Sequence, residues 1–115
     1  IQHGRVKLAG IGIERVEPKF ASKLGVSKGI LISQVIPKTP AANIGLRGTY
    51  PTRSGRIHIG DIIIGVNGKP VGSYDELYNT LSKVKVGDEI TLSVIRDGKE
   101  KRFKIKTMDI GSINR

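Results

Sequence analysis

Few side chains in this 115-residue chain are placed to do chemistry. His3 and His58 are the only histidines, and neither has a neighbour at metal-ligand spacing, so both read as surface residues. A serine nucleophile needs a Gly-x-Ser-x-Gly turn or a triad setting. Neither occurs, and Ser27, Ser54 and Ser73 read as turn or cap residues. The pairs Asp75-Glu76 and Asp88-Glu89 are adjacent in sequence, so their side chains diverge and read as solvated element ends. The absence of cysteine excludes thiolate catalysis, disulfides and Cys-ligated metals. The expectation is a chain with no catalytic residue, no metal and no cofactor.

What remains is chemistry done by backbone. In "KLAGIGIERV" (7–16), Gly10 and Gly12 flank Ile11 at the start of what otherwise reads as a strand. Glycine weakens a strand, because it brings no packing surface and loses the most entropy on ordering. Something there needs bare backbone. A dinucleotide fingerprint would require a strand before the glycines, a helix after them and a third glycine at fixed spacing. Here a strand follows, the third glycine is missing, and no Walker lysine motif appears.

The elements that position these residues are short. Residues 11–16 alternate; "PKFASKLG" reads as a small helix opened by Pro18 and closed by Gly25. "GILISQVI" (29–36) is a strong strand, and "TPAANIGL" (39–46) a second small helix with Thr39 as N-cap. Residues 47–60 are polar and basic, without a period before Ile57, and read as a loop ending in a short extended piece. "DIIIGVNG" runs into an Asn67-Gly68 turn with "KPV" as its return. "SYDELYNTLSKV" (73–84) is the best helix, with a Ser73/Glu76 capping box. "EITLSVIR" and "KRFKIKT" flank a second hairpin turn, Asp97-Gly98. Five or six strands, one main helix and two short ones make an α+β domain.

The chain opens without Met and reads as an excised fragment or mature product, with no membrane span or signal peptide. Its net charge of +10 is uneven: residues 1–60 carry ten Lys/Arg against Glu14 and Glu17. That bias favours anionic partners, whether nucleic acid, acidic lipid or carboxylate-bearing peptides.

One ordered constellation covers most of the chain. "GIGI" (10–13), "GILISQVIPKTPAANIGL" (29–46), "GDIIIGVNGKPV" (60–71), "SYDELYNTL" (73–81) and "VGDEITLSVIRDGKEKRFKI" (86–105) follow one another. This order resembles the PDZ domain of the HtrA/Deg trypsin-type serine proteases. The most specific part is Thr39-Pro40-Ala41, Ile44-Gly45-Leu46, Gly60-Asp61 and Asn67 through Val71 taken together. Gly60-Asp61 and Asn67-Gly68 read as turn residues, not ligand contacts. Two departures stand out. Residues 48–59 are inserted, which resembles the Deg proteases of chloroplasts, photosynthetic bacteria and related bacterial enzymes. The protease domain, with its His, Asp and Ser, is absent from this chain.

The resemblance implies a PDZ-like, partly open β-barrel over 8–107, with 1–7 a linker remnant, 48–59 an inserted loop and 108–115 a tail. It implies capture of extended C-terminal peptides by strand addition. Gly10, Ile11, Gly12 and Ile13 would form the carboxylate-binding loop, with Ile11 and Ile13 as apolar walls. Gly12 would be bare because a Cβ would crowd the incoming oxygen, so Gly12→Val should abolish binding and spare the fold. A bend in the sheet is the competing reason for the glycines, and a register keyed on Gly10 is a second alternative. Glu14, Arg15 and Val16 would pair with the peptide. Across the groove, Leu77 and Leu81 are expected in the groove region with Tyr74 or Tyr78 at its rim; a purely core role for each is the alternative. The implied partners are substrate peptides, the protein's own protease domain and neighbouring protomers of a trimer or larger cage. The implied location is the periplasm, the cell envelope or the chloroplast lumen, without membrane insertion. The rival reading is a basic nucleic-acid-binding module. It has only five aromatics to call on, Phe20, Tyr50, Tyr74, Tyr78 and Phe103, with no evident stacking row.

Overall fold

The computed structural model describes residues 9–109. Its apolar residues gather on one sheet and one helix. The strands are β1 (Ala9–Gly10), β2 (Ile13–Arg15), β3 (Ile30–Val35), β4 (Tyr50–Pro51), β5 (Ile57–His58), β6 (Ile62–Val66), β7 (Lys69–Pro70), β8 (Glu89–Arg96), β9 (Lys99–Lys106) and β10 (Met108–Asp109). The helices are α1 (Pro18–Lys23), α2 (Pro40–Asn43) and α3 (Tyr74–Ser82). This is the α+β architecture expected, a small open sheet with short helices at its ends.

The main sheet runs β2-β3-β6-β8-β9, with β7 folded back on β6. All its pairings are antiparallel. The β8–β9 hairpin pairs eight residues on each side, from Glu89↔Lys106 to Arg96↔Lys99. Its turn places Asp97 at φ +52°, and the β6–β7 turn does the same with Asn67, the left-handed geometry that Asx-Gly hairpins adopt. Alternation then sends Ile90, Leu92 and Val94 inward against Ile32, Ile63, Val66 and the buried Leu77 and Leu81 of α3. Two departures from the sequence-based expectation follow from long-range pairing. Met108–Asp109, placed in the tail by loss of alternation, pair with β1. The inserted segment carries its own small hairpin, β4–β5; residues 1–8 and 110–115 lie outside the described residues.

The base of that insertion is built into the domain. Thr49 Oγ1 donates to the Ile32 carbonyl (2.8 Å) and accepts from the Gly60 N–H (2.9 Å). The Thr49 N–H donates to the Ser33 carbonyl and the Asp61 N–H to that of Arg47. A Cβ at Gly48 would overlap the Ser33 carbonyl oxygen. Only the tip, with Arg53 to Arg56 exposed, is free of the core.

Asp61 is more than a turn residue. It is 1% exposed and holds Arg96 through two bonds, Nε to Oδ1 at 2.8 Å and Nη2 to Oδ2 at 2.6 Å. The Arg47 N–H completes Oδ2, and Arg96 Nη2 also reaches the Gly45 carbonyl. This forked pair ties the end of α2 and the insertion's base to β8. Hydrogen bonding to Asp61 holds the Arg96 guanidinium above its ordinary value, against the opposing effect of burial.

Candidate functional site

The peptide-facing region expected from the sequence lies where β2 begins. Between β1 and β2 the chain bends at Gly12, whose φ is +90°. The carbonyls of this bend turn inward: Ile11 accepts from the Ala41 N–H and Gly12 from the Ile36 N–H, both at 2.9 Å. Among the described residues, no backbone carbonyl outside the strand ladders accepts the Ile11 or Gly12 N–H. These are the groups that could meet an anion.

The reason for glycine at 12 differs from the expected one. A Cβ there would point into the domain, overlapping Thr39 Cβ and Oγ1 and standing 2.6 Å from Cγ2. Thr39 is 3% exposed and caps α2, accepting from the Ala42 N–H while donating to the Ile36 carbonyl at 2.6 Å. So the bare backbone makes room for the α2 cap, not for the oxygen of a ligand. A Gly12→Val chain is therefore expected to lose stability, which corrects the expectation that its fold would be spared. Gly10 lies in β1, opposite Met108. Ile11, 2% exposed, belongs to the core and offers no open wall, whereas Ile13 is half-buried.

Among the described residues, β2 occupies the end of the main sheet and pairs there with β3 alone. Ile13 faces Val35, Glu14 faces Gln34, and Arg15 faces Ile32, so Ser33 of β3 is the extra residue of a bulge. Because the irregularity is carried by β3, the outer edge of β2 keeps regular spacing. The Val16 N–H continues the ladder to the Leu31 carbonyl at 2.8 Å. Glu14 and Arg15 are exposed and Val16 half-buried.

Opposite stands α3, started by the cap foreseen in the sequence: the Ser73 hydroxyl accepts from the Glu76 N–H. The returning carboxylate bond goes to the Gly72 N–H (3.0 Å). Leu77 and Leu81 are 2% and 5% exposed and sit in the core cluster. Tyr74 is half-buried, and Tyr78, 37% exposed, stacks on it with ring centroids 6.4 Å apart. Arg15 lies over the Tyr74 ring, 4.9 Å from its centroid, and so joins β2 to the first turn of α3. That contact was not legible in the sequence, where the two residues are 59 positions apart.

The basic surface has no aromatic platform. Phe20 is on α1, Tyr50 packs against His58 in the insertion with the rings tilted, the other two tyrosines share α3, and Phe103 underlies Arg96. The nucleic-acid alternative is not favoured. Among the described residues no three His, Asp or Glu gather as a metal site, and no helix is long and apolar enough to cross a membrane.

Comparison with known proteins agrees with this architecture. Protease Do-like 1, chloroplastic, of Arabidopsis thaliana is 40% identical over 102 residues, covering 88% of this chain and 23% of that protein. Periplasmic serine endoprotease DegP of Escherichia coli (strain K12) is 32% identical over 104 residues, covering 87% and 20%. The chain thus spans about a fifth to a quarter of the length of the curated relatives it matches. The solved structure of the HtrA3 PDZ domain bound to a phage-derived ligand (FGRWV) superposes with a TM-score of 0.69 at 26% identity, covering 97% of this chain and 98% of that one. Its homologues are serine endoproteases of the HtrA/Deg type, and residues 9–107 match the PDZ domain family, to which the chain belongs.

Proposed function

We propose that this domain captures the extended C-terminal segment of a partner protein by adding it as a strand to the outer edge of β2. The observation that carries this reading is the end position of β2 in the main sheet, with the Gly12 bend at its start and Tyr74 of α3 across from Arg15. Main-chain hydrogen bonds along Ile13 to Val16 supply affinity, and the half-buried Ile13 with the adjoining end of α3 supplies a preference for an apolar last side chain. The ligand of the HtrA3 PDZ domain ends in Val, which supports that preference. The terminal carboxylate meets the amides of Ile11 to Ile13, in a bend whose carbonyls are already committed inward.

In the whole protein the domain would feed or regulate a serine protease domain, tethering substrates near its active site or shifting it between states. Its location would be that of its relatives, periplasmic or chloroplastic. Its further partners would be its own protease domain and neighbouring protomers.

The test is calorimetric titration with matched peptides, one carrying a free C-terminal carboxylate and one amidated. Charge-assisted bonds to backbone N–H groups contribute roughly 1.5–3 kcal/mol each. Amidation removes the charge and sets an NH₂ against donors, so affinity should fall at least about tenfold. Equal affinities for acid and amide would overturn the carboxylate role of residues 10–13.

A further inference from the structure

At the end of β2 lies a cavity of about 190 Å³, lined partly by Arg15, Val16 and Tyr74 and partly by residues of α1 and the 26–31 segment that the strand-addition reading does not use. Val16, Pro18, Ala21, Val26, Leu31 and Tyr74 are among the residues that line it. No carboxylate lines it. The wall from the 26–30 segment is held to the start of α3 by the Gly29 N–H on the Gly72 carbonyl (3.1 Å), and to α1 by the Val26 N–H on the Ala21 carbonyl (2.8 Å). Arg15, which lies over the Tyr74 ring, also lines this cavity.

We infer that this cavity is a second anchor site, taking an aliphatic side chain of the bound peptide at the fifth residue counted back from its C-terminus. The inference rests on strand addition to β2 as proposed above, and extends it by register. In an antiparallel pair each step back along the peptide moves one residue forward along β2. With the last peptide residue opposite Ile13, the third from the end lies opposite Arg15 and the fifth opposite Glu17. The four steps span about 13 Å. Side chains alternate, so those of the first, third and fifth residues share one face. That face is the one on which Arg15 reaches Tyr74 of α3. The fifth residue therefore arrives where Pro18 opens α1, at the mouth of the cavity.

The chemistry selects the occupant. Apolar residues share the lining with Ser22, Ser27 and Ser73, and Arg15 is its one charged member. A branched aliphatic side chain buries its surface there. A lysine would gain little of that burial, because its charge must stay hydrated or pair with the exposed Glu17 at the cavity's mouth.

The experiment compares acetylated pentapeptides X-Ala-Ala-Ala-Val, with free or amidated C-termini and X as Leu, Ser or Lys, by calorimetric titration. Leu should bind about tenfold more tightly than Ser, which corresponds to roughly half the worth of a fully buried leucine side chain. Lys should bind more weakly than Leu. Ser22 is exposed and lines the cavity, so Ser22→Trp should plug it and erase the Leu preference while keeping the acid-over-amide difference. If that variant fails to fold, the tetrapeptide Ala-Ala-Ala-Val serves instead and should bind no better than the Ser pentapeptide. Equal affinities for Leu and Ser, with the acid preference intact, would overturn the second anchor. Loss of the acid preference itself would overturn the strand-addition reading on which it rests.

Discussion

Gly12→Ala should cost the fold far more than Gly25→Ala, although the two glycines share nearly the same backbone. Their φ angles are +90° and +93°. Alanine adopts such values poorly, so each substitution carries a backbone cost of about 1–2 kcal/mol. The surroundings differ. A Cβ at Gly25 meets nothing within 4 Å, whereas at Gly12 it would overlap Thr39 Cβ and Oγ1 and stand 2.6 Å from Cγ2. Forcing atoms into a filled site adds about 1–3 kcal/mol. The expected losses are then about 1–2 kcal/mol for Gly25→Ala and about 2–5 kcal/mol for Gly12→Ala, with Tm falling about 4–8 °C for each kcal/mol in a domain near this size. Thr39→Ala should not rescue Gly12→Ala, because the Thr39 Cβ is itself an overlapping atom and the α2 cap is lost besides. The assay is thermal and urea unfolding followed by circular dichroism for both single variants and the double. Equal losses at 12 and 25, within about 0.5 kcal/mol, would refute the claim that packing on Thr39 dictates glycine at 12.

Arg96→Met strands the buried Asp61 carboxylate and should cost about 3–5 kcal/mol; Asp61→Asn should cost less, because the partly exposed Arg96 can turn to solvent. Pairing raises the Arg96 value, so its contribution is fully present below the ordinary arginine range and is lost only as pH rises through the raised one. The gap in urea midpoint between wild type and Arg96→Met should thus hold steady from about pH 7 to about pH 10, and a gap that closes over that range would refute this account. Replacing residues 52–56 by a short Gly-Ser link should lower Tm by no more than about 3 °C, whereas Thr49→Val, which leaves the Gly60 N–H without its acceptor, should cost about 1–3 kcal/mol in chemical unfolding. Comparable effects would mean that the clasp at the insertion's base is not what holds it.

What the sequence determined by itself was local. Asn67-Gly68 and Asp97-Gly98 mark both hairpins because only a few residues tolerate their left-handed turns, and Ser73 and Thr39 mark helix starts because their hydroxyls cap free N–H groups. The order of those signals was enough to name the PDZ family. Contacts between distant residues were decided only by tertiary packing. Asp61 looked like a turn residue until β6 and β8 paired and brought Arg96 to it. Thr49 looked like part of a free loop until the sheet placed the Ile32 and Ser33 carbonyls beside it. The sequence left open whether Leu77, Leu81, Tyr74 and Tyr78 of α3 face core or groove; docking on the sheet buried Leu77 and Leu81 and left Tyr74 to meet Arg15. At Gly12 the sequence revealed that a side chain is unwelcome but not on which side, since a Cβ's direction is set by the backbone and its obstacle, Thr39, lies 27 residues away in the chain.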